Sequence, residues 1–535
     1  MSRTVLRGGT VVDGSGRAVR KADVAVDGPL VTAVGEIPVH EDDVVLDCSG
    51  RLVMPGFIDA HSHAEARVFD PEIGFALLSQ GITTVIGGQD GVGFAPGDGR
   101  YASEYFAALN GAHPTYSGGG VASLLETYAG RVAVNVGYLV PHGTVRHEVM
   151  GDDDRPPTTG ELARMTGLLR LGLTEGALGL STGLDYAPGY FADTDELIAL
   201  NRPVAQVGAI YVSHMRGGYE ENTPVGIDEV VRIAVATGVS AHVSHLHGPA
   251  ALITHCLSQA AAAGADLSFD AYPYRRGCTL LAMPMVPPAL LRLGAHAAAE
   301  QLTDPVRRAE IIRDHLPQMA SRPGFGPGWA QGITLAGVAA PEYRWAEGLT
   351  LAGAAERAGT DPGEFGLRII GASRLAVSAV LKVPDQRPVD ELAEIFTHPV
   401  HVGSTDGIYL GGHPHPRGWG TFARYLALYT RQRGDYSWEQ AARHLSGRTA
   451  ERHGLGDRGA VAPGRAADLI VVDPATVADR ADYDHPRQPA VGIDEVLVNG
   501  IVVLCAGRPT GDLPGKGLRR SAKVVRSASD VVAMP

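Results

Sequence analysis

The stretch PGFIDAHSH, residues 55–63, sets the reading of the fold. A short apolar run opened by Pro and Gly has the length of a strand buried on both faces. It ends in two histidines two residues apart, which a strand points to the same side. Outward from it the same texture recurs. GFIDAHSH (56–63) is followed by ITTVIGG (82–88), AVNVGYLV (133–140), ALGLSTG (177–183), AIYVSHM (209–215), VSAHVSHL (239–246), ADLSFDAYPY (265–274) and VHVGSTDG (400–407). Between these eight runs lie helix-like stretches, one of which opens at Asp193 with Glu196 three residues on, a capping-box-like start. Eight strands alternating with helices make the fold class α/β and favour a (β/α)8 TIM barrel over an open doubly wound sheet.

The connection between the seventh and eighth runs is about 125 residues, far beyond ordinary loop length, and must hold structure of its own. Part of it, 283–345, is rich in Pro and helix formers and reads as a lid-like insertion before the last strand. The chain ends differ from the middle. TVLRGGTVVDG, ADVAVDG and LVTAVG near the start, and AADLIVVDP and EVLVNGIVVL near the end, are short strands broken by turn residues. The expected organisation is 1–54 and 456–535 as two parts of one small β-sandwich domain around a barrel at 55–455.

Composition narrows the function. Over 535 residues, 46 basic against 59 acidic side chains give a net charge of −13, which is not the electrostatic footprint of a nucleic-acid binder. With 44% hydrophobic and 20% charged residues, the chain has the material for a large core. No apolar stretch reaches the ~18 residues of a membrane span, and no charged-then-apolar leader opens the sequence. Cys48, Cys256, Cys278 and Cys505 are scattered, with no CxxC spacing, as suits a reducing, cytoplasmic compartment.

Polar residues interrupt the apolar runs mainly at their C-terminal ends, the face on which barrel enzymes carry their chemistry. An HxH pair such as His61 and His63 is weak evidence alone. His214 closes the fifth run, His245 the sixth and Asp406 the eighth, so one rim gathers four imidazoles and a carboxylate. Core histidines placed for packing would not synchronise with strand ends. This donor set suits a divalent transition metal with an open position, which brings the pKa of water to about 7. Asp406 is then the proton shuttle.

The segments PGFIDAHSH, GALGLSTGLDYAPG, FADTDEL, YVSHMRG, SHL, FDAYPY, HPRGWGTFARYL, AADLIVVDP and EVLVNG closely resemble the N-acyl-D-amino-acid deacylase (D-aminoacylase) family of the amidohydrolase superfamily. The resemblance runs over nearly the whole chain. It implies a metal-containing barrel, a β-sandwich made of both termini, and hydrolysis of an N-acyl-D-amino acid to a carboxylate and a free D-amino acid. It also implies that His214 and His245 hold the main zinc, that His61 and His63 form a second or weaker site, and that Asp406 is the catalytic acid/base.

The chain departs from the family twice. Where the family has Gly-Asn-Cys-Gly, with a zinc-ligating cysteine, this sequence reads Gly88-Gln89-Asp90-Gly91. Asp90 can still ligate as an oxygen donor, and a harder ligand admits manganese or cobalt beside zinc, as one or two ions. Asp beside Gly is also ordinary turn chemistry. Second, the family holds the substrate carboxylate with a lysine, a tyrosine, a serine and an arginine. Tyr272 and Arg417 are kept, whereas the lysine position is His247 and the serine position Cys278. Arg417 can grip a carboxylate bidentately and Tyr272 can donate to it. Arg275 and Arg276, just past YPY, compensate by attracting an acidic or otherwise anionic substrate.

The expected function is metal-dependent amide hydrolysis of an N-acyl-D-amino acid, with that small molecule as the partner and neither nucleic acid nor membrane involved. Hydrolysis of a cyclic or specialised biosynthetic amide is the alternative that the altered His247 and Cys278 positions raise. A binding protein that has lost turnover ranks below both. Acyl group, side chain and oligomeric state are not written in the sequence.

Overall fold

The computed structural model describes residues 3–322, 324–383 and 387–521. Its centre is a ring of parallel strands. In chain order they are Phe57–Asp59, Ile82–Gly87, Asn135–Tyr138 continued by Val140–Pro141, Gly179–Gly183, Ile210–His214, Ser240–Val243, Leu267–Ala271 and His401–Gly403. Each of the eight apolar runs falls on one of them. The registers between neighbours are parallel throughout. At Leu139, whose N–H donates to the Gly87 carbonyl at 3.1 Å, the third strand passes from pairing with the second to pairing with the fourth.

The first and eighth strands close the ring. The N–H of His63 donates to the Gly407 carbonyl at 3.1 Å, and that of Asp406 to the His61 carbonyl at 2.9 Å. Asp59 reinforces the closure by accepting the Thr405 N–H at 2.8 Å and the Thr405 hydroxyl at 2.5 Å. Helices cover the outside, and caps start them. Asp193 accepts the Glu196 N–H at 2.8 Å to open Thr194–Gln206, as its spacing predicts, and a reciprocal Thr158–Glu161 capping box opens Thr159–Thr174. The molecule is therefore the (β/α)8 barrel that the sequence leads one to expect.

Both chain ends contribute to the second unit. Leu52–Pro55 pairs antiparallel with Leu469–Val472 in a sheet completed by Thr10–Val11 and Arg20–Lys21 on one side and by Ile493–Val498, Ile501–Cys505 and Arg508–Pro509 on the other. A second sheet, ordered Leu30–Gly35, Asp23–Asp27, Thr4–Arg7, Val44–Asp47, shares with it a small core that includes Leu6, Val24, Val31, Val53, Leu469 and Leu497. Residues 522–535 of the expected C-terminal part lie outside the described residues.

The long connection before the last strand carries several short helices, among them Ala295–Gln301 and Pro305–Asp314, and a three-stranded antiparallel sheet. That sheet is ordered Arg276–Leu280, Val377–Lys382, Ile333–Val338, and its first strand forms a wall of the site described next. Among the described residues no helix is long and apolar enough to cross a membrane.

Candidate active site

The turn after the second strand shows how backbone chemistry aims a side chain. Gly88 and Gly91 stand at φ +70° and +67°. A Cβ on Gly88 would lie 2.2 Å from the Leu139 carbonyl oxygen and one on Gly91 2.6 Å from the Gly183 nitrogen, so only glycine fits. The Gln89 amide pins the turn by donating to the carbonyls of Ala60 (2.9 Å) and Ile86 (3.0 Å). Asp90 between them is itself left-handed, at φ +55°, and so are His245 (+34°) and Asp406 (+46°). Such positions cost about 1–3 kcal/mol each and collect where function over-determines the backbone.

These residues converge with the strand-end histidines in one buried cluster. Asp90 Oδ1 lies 3.5 Å from His61 Nε2, 3.6 Å from His245 Nε2 and 3.8 Å from His214 Nδ1, while its Oδ2 lies 3.5 Å from His63 Nε2. Asp406 Oδ1 is 3.7 Å from His61 Nε2 and 3.5 Å from His63 Nε2. His214 Nδ1 and His245 Nε2 are 3.1 Å apart. Most of these separations exceed good hydrogen-bond lengths, yet ligands about 2.0–2.1 Å from a tetrahedral ion stand about 3.3 Å from one another.

Both ring nitrogens of His61 and Asp90 Oδ1 are buried with no hydrogen-bond partner. Leaving a buried polar group unsatisfied costs about 1–3 kcal/mol, and a shared cation would serve all three of these atoms at once. His61, Asp90 and His245 form one set whose donor atoms could share a metal, and His61, His63 and Asp406 form another. The donors present thus fit one or two divalent cations. Burial holds His61 down to about 4. Burial would likewise depress His63, but Asp406 and Asp90 outweigh it and raise that imidazole to about 10. Two carboxylates, Asp90 and Asp406, thus set the electrostatics of the cluster.

A further layer, only partly legible in the sequence, orients the imidazoles. Asp185, in the GLDYAPG segment after the fourth strand, has Oδ2 3.2 Å from His214 Nε2 and accepts the Gly217 N–H on Oδ1 at 2.7 Å. This leaves His214 Nδ1 turned to the cluster, the arrangement by which carboxylates fix metal-binding histidines. Asn110 Oδ1 lies 3.1 Å from His63 Nδ1. Asp270 accepts the His245 N–H at 2.9 Å and the Ser404 hydroxyl at 2.5 Å. Asp185 and Asp270 both follow or end barrel strands, the signal by which sequence reasoning could have found them.

Asp406 also has a partner on its other side. Arg417 Nη1 is 2.9 Å from Asp406 Oδ2, its Nη2 donates to the Cys278 carbonyl at 3.1 Å, and its guanidinium lies 4.6 Å from the Tyr272 ring centroid. Burial would raise Asp406, but Arg417 and the histidines outweigh it and hold its carboxyl at about 2. Cys278, on the strand Arg276–Leu280, is a buried thiol pushed up to about 12 by desolvation, which does not favour a nucleophilic thiolate.

His247 stacks on Tyr219, with ring centroids 4.7 Å apart. Arg276 lies over the Tyr483 ring at 3.9 Å, and Arg275 is exposed; both line the pocket beside His245, His247 and Tyr272. His142 stays out of the cluster: its Nε2 is 2.7 Å from Glu196 Oε1, in a buried network with Arg146 that ties two helices together.

Comparison with known proteins places the chain among relatives of one family. The family model described as "Amidohydrolase family" matches residues 44–504. An N-acyl-D-glutamate deacylase of Alcaligenes xylosoxydans xylosoxydans is 33% identical, the alignment covering 97% of each chain. A D-aminoacylase of the same organism is also 33% identical, over 97% of this chain and 98% of its own. Among solved structures, an N-acyl-D-glutamate deacylase from Bordetella bronchiseptica, complexed with zinc and a phosphonate inhibitor, superposes with TM-score 0.80 at 31% identity. It covers 96% of this chain and 99% of that one. A D-aminoacylase superposes with TM-score 0.79 at 30% identity, covering 97% and 99%. The chain belongs to the amidohydrolase family.

Proposed function

We propose that this protein hydrolyses the amide bond of an N-acyl-D-amino acid, releasing a carboxylate and a free D-amino acid. The observation that carries the reading is the junction of the buried His61, His63, Asp90, His214 and His245 cluster, in which His61 and Asp90 Oδ1 lack partners, with the Asp406–Arg417 pair. One end of that junction suits a cation and a reacting carbonyl, and the other an anchored carboxylate. Relatives at about a third identity over nearly the full chain are deacylases of this kind.

His214, His245 and Asp90 would hold zinc, with His61 and His63 completing a second position; manganese and cobalt also suit the oxygen donor at Asp90. A divalent ion there polarises the amide carbonyl and lowers the pKa of water. Asp406 faces this position, takes the proton of the attacking water and delivers it to the amine nitrogen as the C–N bond breaks. Water oxygen thus ends on the acyl carbon and its protons on the carboxylate–amine pair. Arg417 and Tyr272 orient the α-carboxylate. Arg275 and Arg276 draw the anionic substrate to the mouth. The strand Arg276–Leu280, tied to the barrel by the 3.0 Å Thr279–Tyr186 hydroxyl contact, closes one side against water.

The test is amine release from N-acetyl-D-amino acids, with L-enantiomers as controls, on protein reconstituted separately with zinc, manganese and cobalt. Metal-dependent release confined to D-substrates is expected. No release from protein that holds metal would overturn the reading.

A further inference from the structure

Arg417 opens the helix Arg417–Arg424 and is fully buried, with Nη1 on Asp406 and Nη2 on the Cys278 carbonyl. The first N–H groups of a helix have no acceptor within it, and the residue ahead of Arg417 is Pro416, which has no side-chain oxygen to cap them. His415 takes that part. Its Nδ1 accepts the Arg417 N–H at 3.0 Å, and its Nε2 lies 3.0 Å from the Arg276 carbonyl oxygen. A backbone N–H only donates and a carbonyl only accepts, so Nδ1 is the lone pair and Nε2 carries the hydrogen. One imidazole therefore ties the start of the Arg417 helix to the strand Arg276–Leu280. Arg417 is held to that strand twice, by its own side chain at Cys278 and by its backbone through His415.

His415 is held in turn from the second unit. The connection 473–492, between Leu469–Val472 and Ile493–Val498, lies on the barrel, where Asp479 pairs with Arg424 at 2.9 Å and Arg487 with Glu72 at 2.7 Å. Tyr483, midway between these two contacts, reaches the anchoring wall. Its carbonyl accepts from His413 Nε2 at 2.7 Å, and its ring face carries the Arg276 guanidinium at 3.9 Å. The same ring stands edge-on to His415, with centroids 5.2 Å apart at 84°, and Tyr274 meets His415 at 5.3 Å and 88°. Packed against two tyrosine rings with both nitrogens engaged, the fully buried imidazole has one orientation.

A guanidinium grips a carboxylate through two parallel N–H bonds, so a shift of about 1 Å at the start of its helix spoils the grip. We propose that His415 is a positioning residue for Arg417, setting the reach of the guanidinium to the α-carboxylate of the substrate, and that Tyr483 of the second unit holds His415 in place. The inference rests on the deacylase reading above.

The experiment measures kcat and KM of zinc-loaded wild type, His415→Ala, His415→Asn and Tyr483→Ala on two acids, N-acetyl-D-leucine and N-acetyl-D-glutamate. It repeats them on the α-carboxamides, N-acetyl-D-leucinamide and N-acetyl-D-isoglutamine, which keep the scissile bond and lack the α-carboxylate. Zinc content and circular dichroism are read on every variant. In wild type the acid should exceed its amide in kcat/KM by at least about 100-fold. His415→Ala should bring that ratio below about tenfold by lowering the acid alone, leaving the amide within about threefold of wild type. His415→Asn, whose Oδ1 can still accept the Arg417 N–H, should keep the ratio above about 30-fold, and Tyr483→Ala should lower it about three- to tenfold. If His415→Ala does not fold, Tyr483→Ala carries the test by the same ratio. An equal loss on acid and amide, or a ratio unmoved by the substitutions, overturns this inference and leaves the deacylase reading standing. So does a wild type indifferent to the α-carboxylate. No amine from any of the four substrates by wild type that holds zinc overturns both.

Discussion

Two groups of buried histidines in the same barrel behave in opposite ways. His61, His63, His214 and His245 at the C-terminal rim face Asp90 and Asp406, and both ring nitrogens of His61 have no hydrogen-bond partner. His401, at the start of the eighth strand, and His444 lie elsewhere among aromatic hydroxyls. Tyr436 Oη is 3.1 Å and Tyr425 Oη 3.4 Å from His401 nitrogens, and His444 Nδ1 is 3.4 Å from His401 Nδ1. Burial, with Arg448 adding to it, holds His444 down to about 3, and burial holds His401 well below its ordinary value. Burial and residue type are shared. What separates the rim from this packing pair is that four imidazoles converge on two shared carboxylates, whereas His401 and His444 face hydroxyls and each other.

The largest expected effect that sharpens this contrast is on turnover. Asp406→Asn should lower kcat by at least about 100-fold, the range of a lost general acid/base, while zinc per chain by mass spectrometry stays near wild type. Near-full activity in that variant would put the proton shuttle elsewhere. A smaller effect concerns the orienting carboxylate. Asp185→Ala should weaken metal affinity about 10- to 100-fold in a chelator competition, with Asp185→Glu recovering part of it, because His214 loses the partner that turns Nδ1 inward. Equal affinity in all three proteins would reduce Asp185 to a loop contact.

The packing histidines should speak through stability instead. Their folded pKa values lie below the unfolded value of about 6.5, so their stabilising contribution is complete above that pH and is lost as pH falls below it, for His444 down to about 3. Denaturant unfolding of the metal-free protein should show stability falling between pH 6.5 and 4. Replacing His444 with Gln should lessen the slope by up to about 1.4 kcal/mol per pH unit, one proton's worth. An unchanged slope would mean that His444 is charged in the folded state.

Much of this was written in the linear sequence because parallel barrels separate their tasks along each strand. Apolar runs give the ring, and the residues that end them give the rim. His61, His63, His214, His245 and Asp406 were visible for that reason. The supporting layer was only partly so, since its roles depend on partners far apart in the chain. Asp185 looks like an ordinary turn residue until His214 folds against it. Glu220 likewise finds its ion-pair partner Arg387, 167 residues on, only in the folded chain. The antiparallel sheet of the insertion was also hidden. Arg276–Leu280 has no strict alternation, and Ile333–Val338 lies within a stretch rich in Pro and helix formers, so only pairing with Val377–Lys382 reveals both as strands.

On this reading the rim cluster, and not the packing pair, would hold the metal. The most direct test is metal content after zinc reconstitution and dialysis, measured side by side on wild type, His245→Ala, Asp90→Ala and His401→Gln protein, each checked for folding by circular dichroism. Wild type and His401→Gln should each hold one or two zinc ions per chain, and each rim variant should lose at least one. Undiminished zinc in folded His245→Ala and Asp90→Ala protein would contradict it.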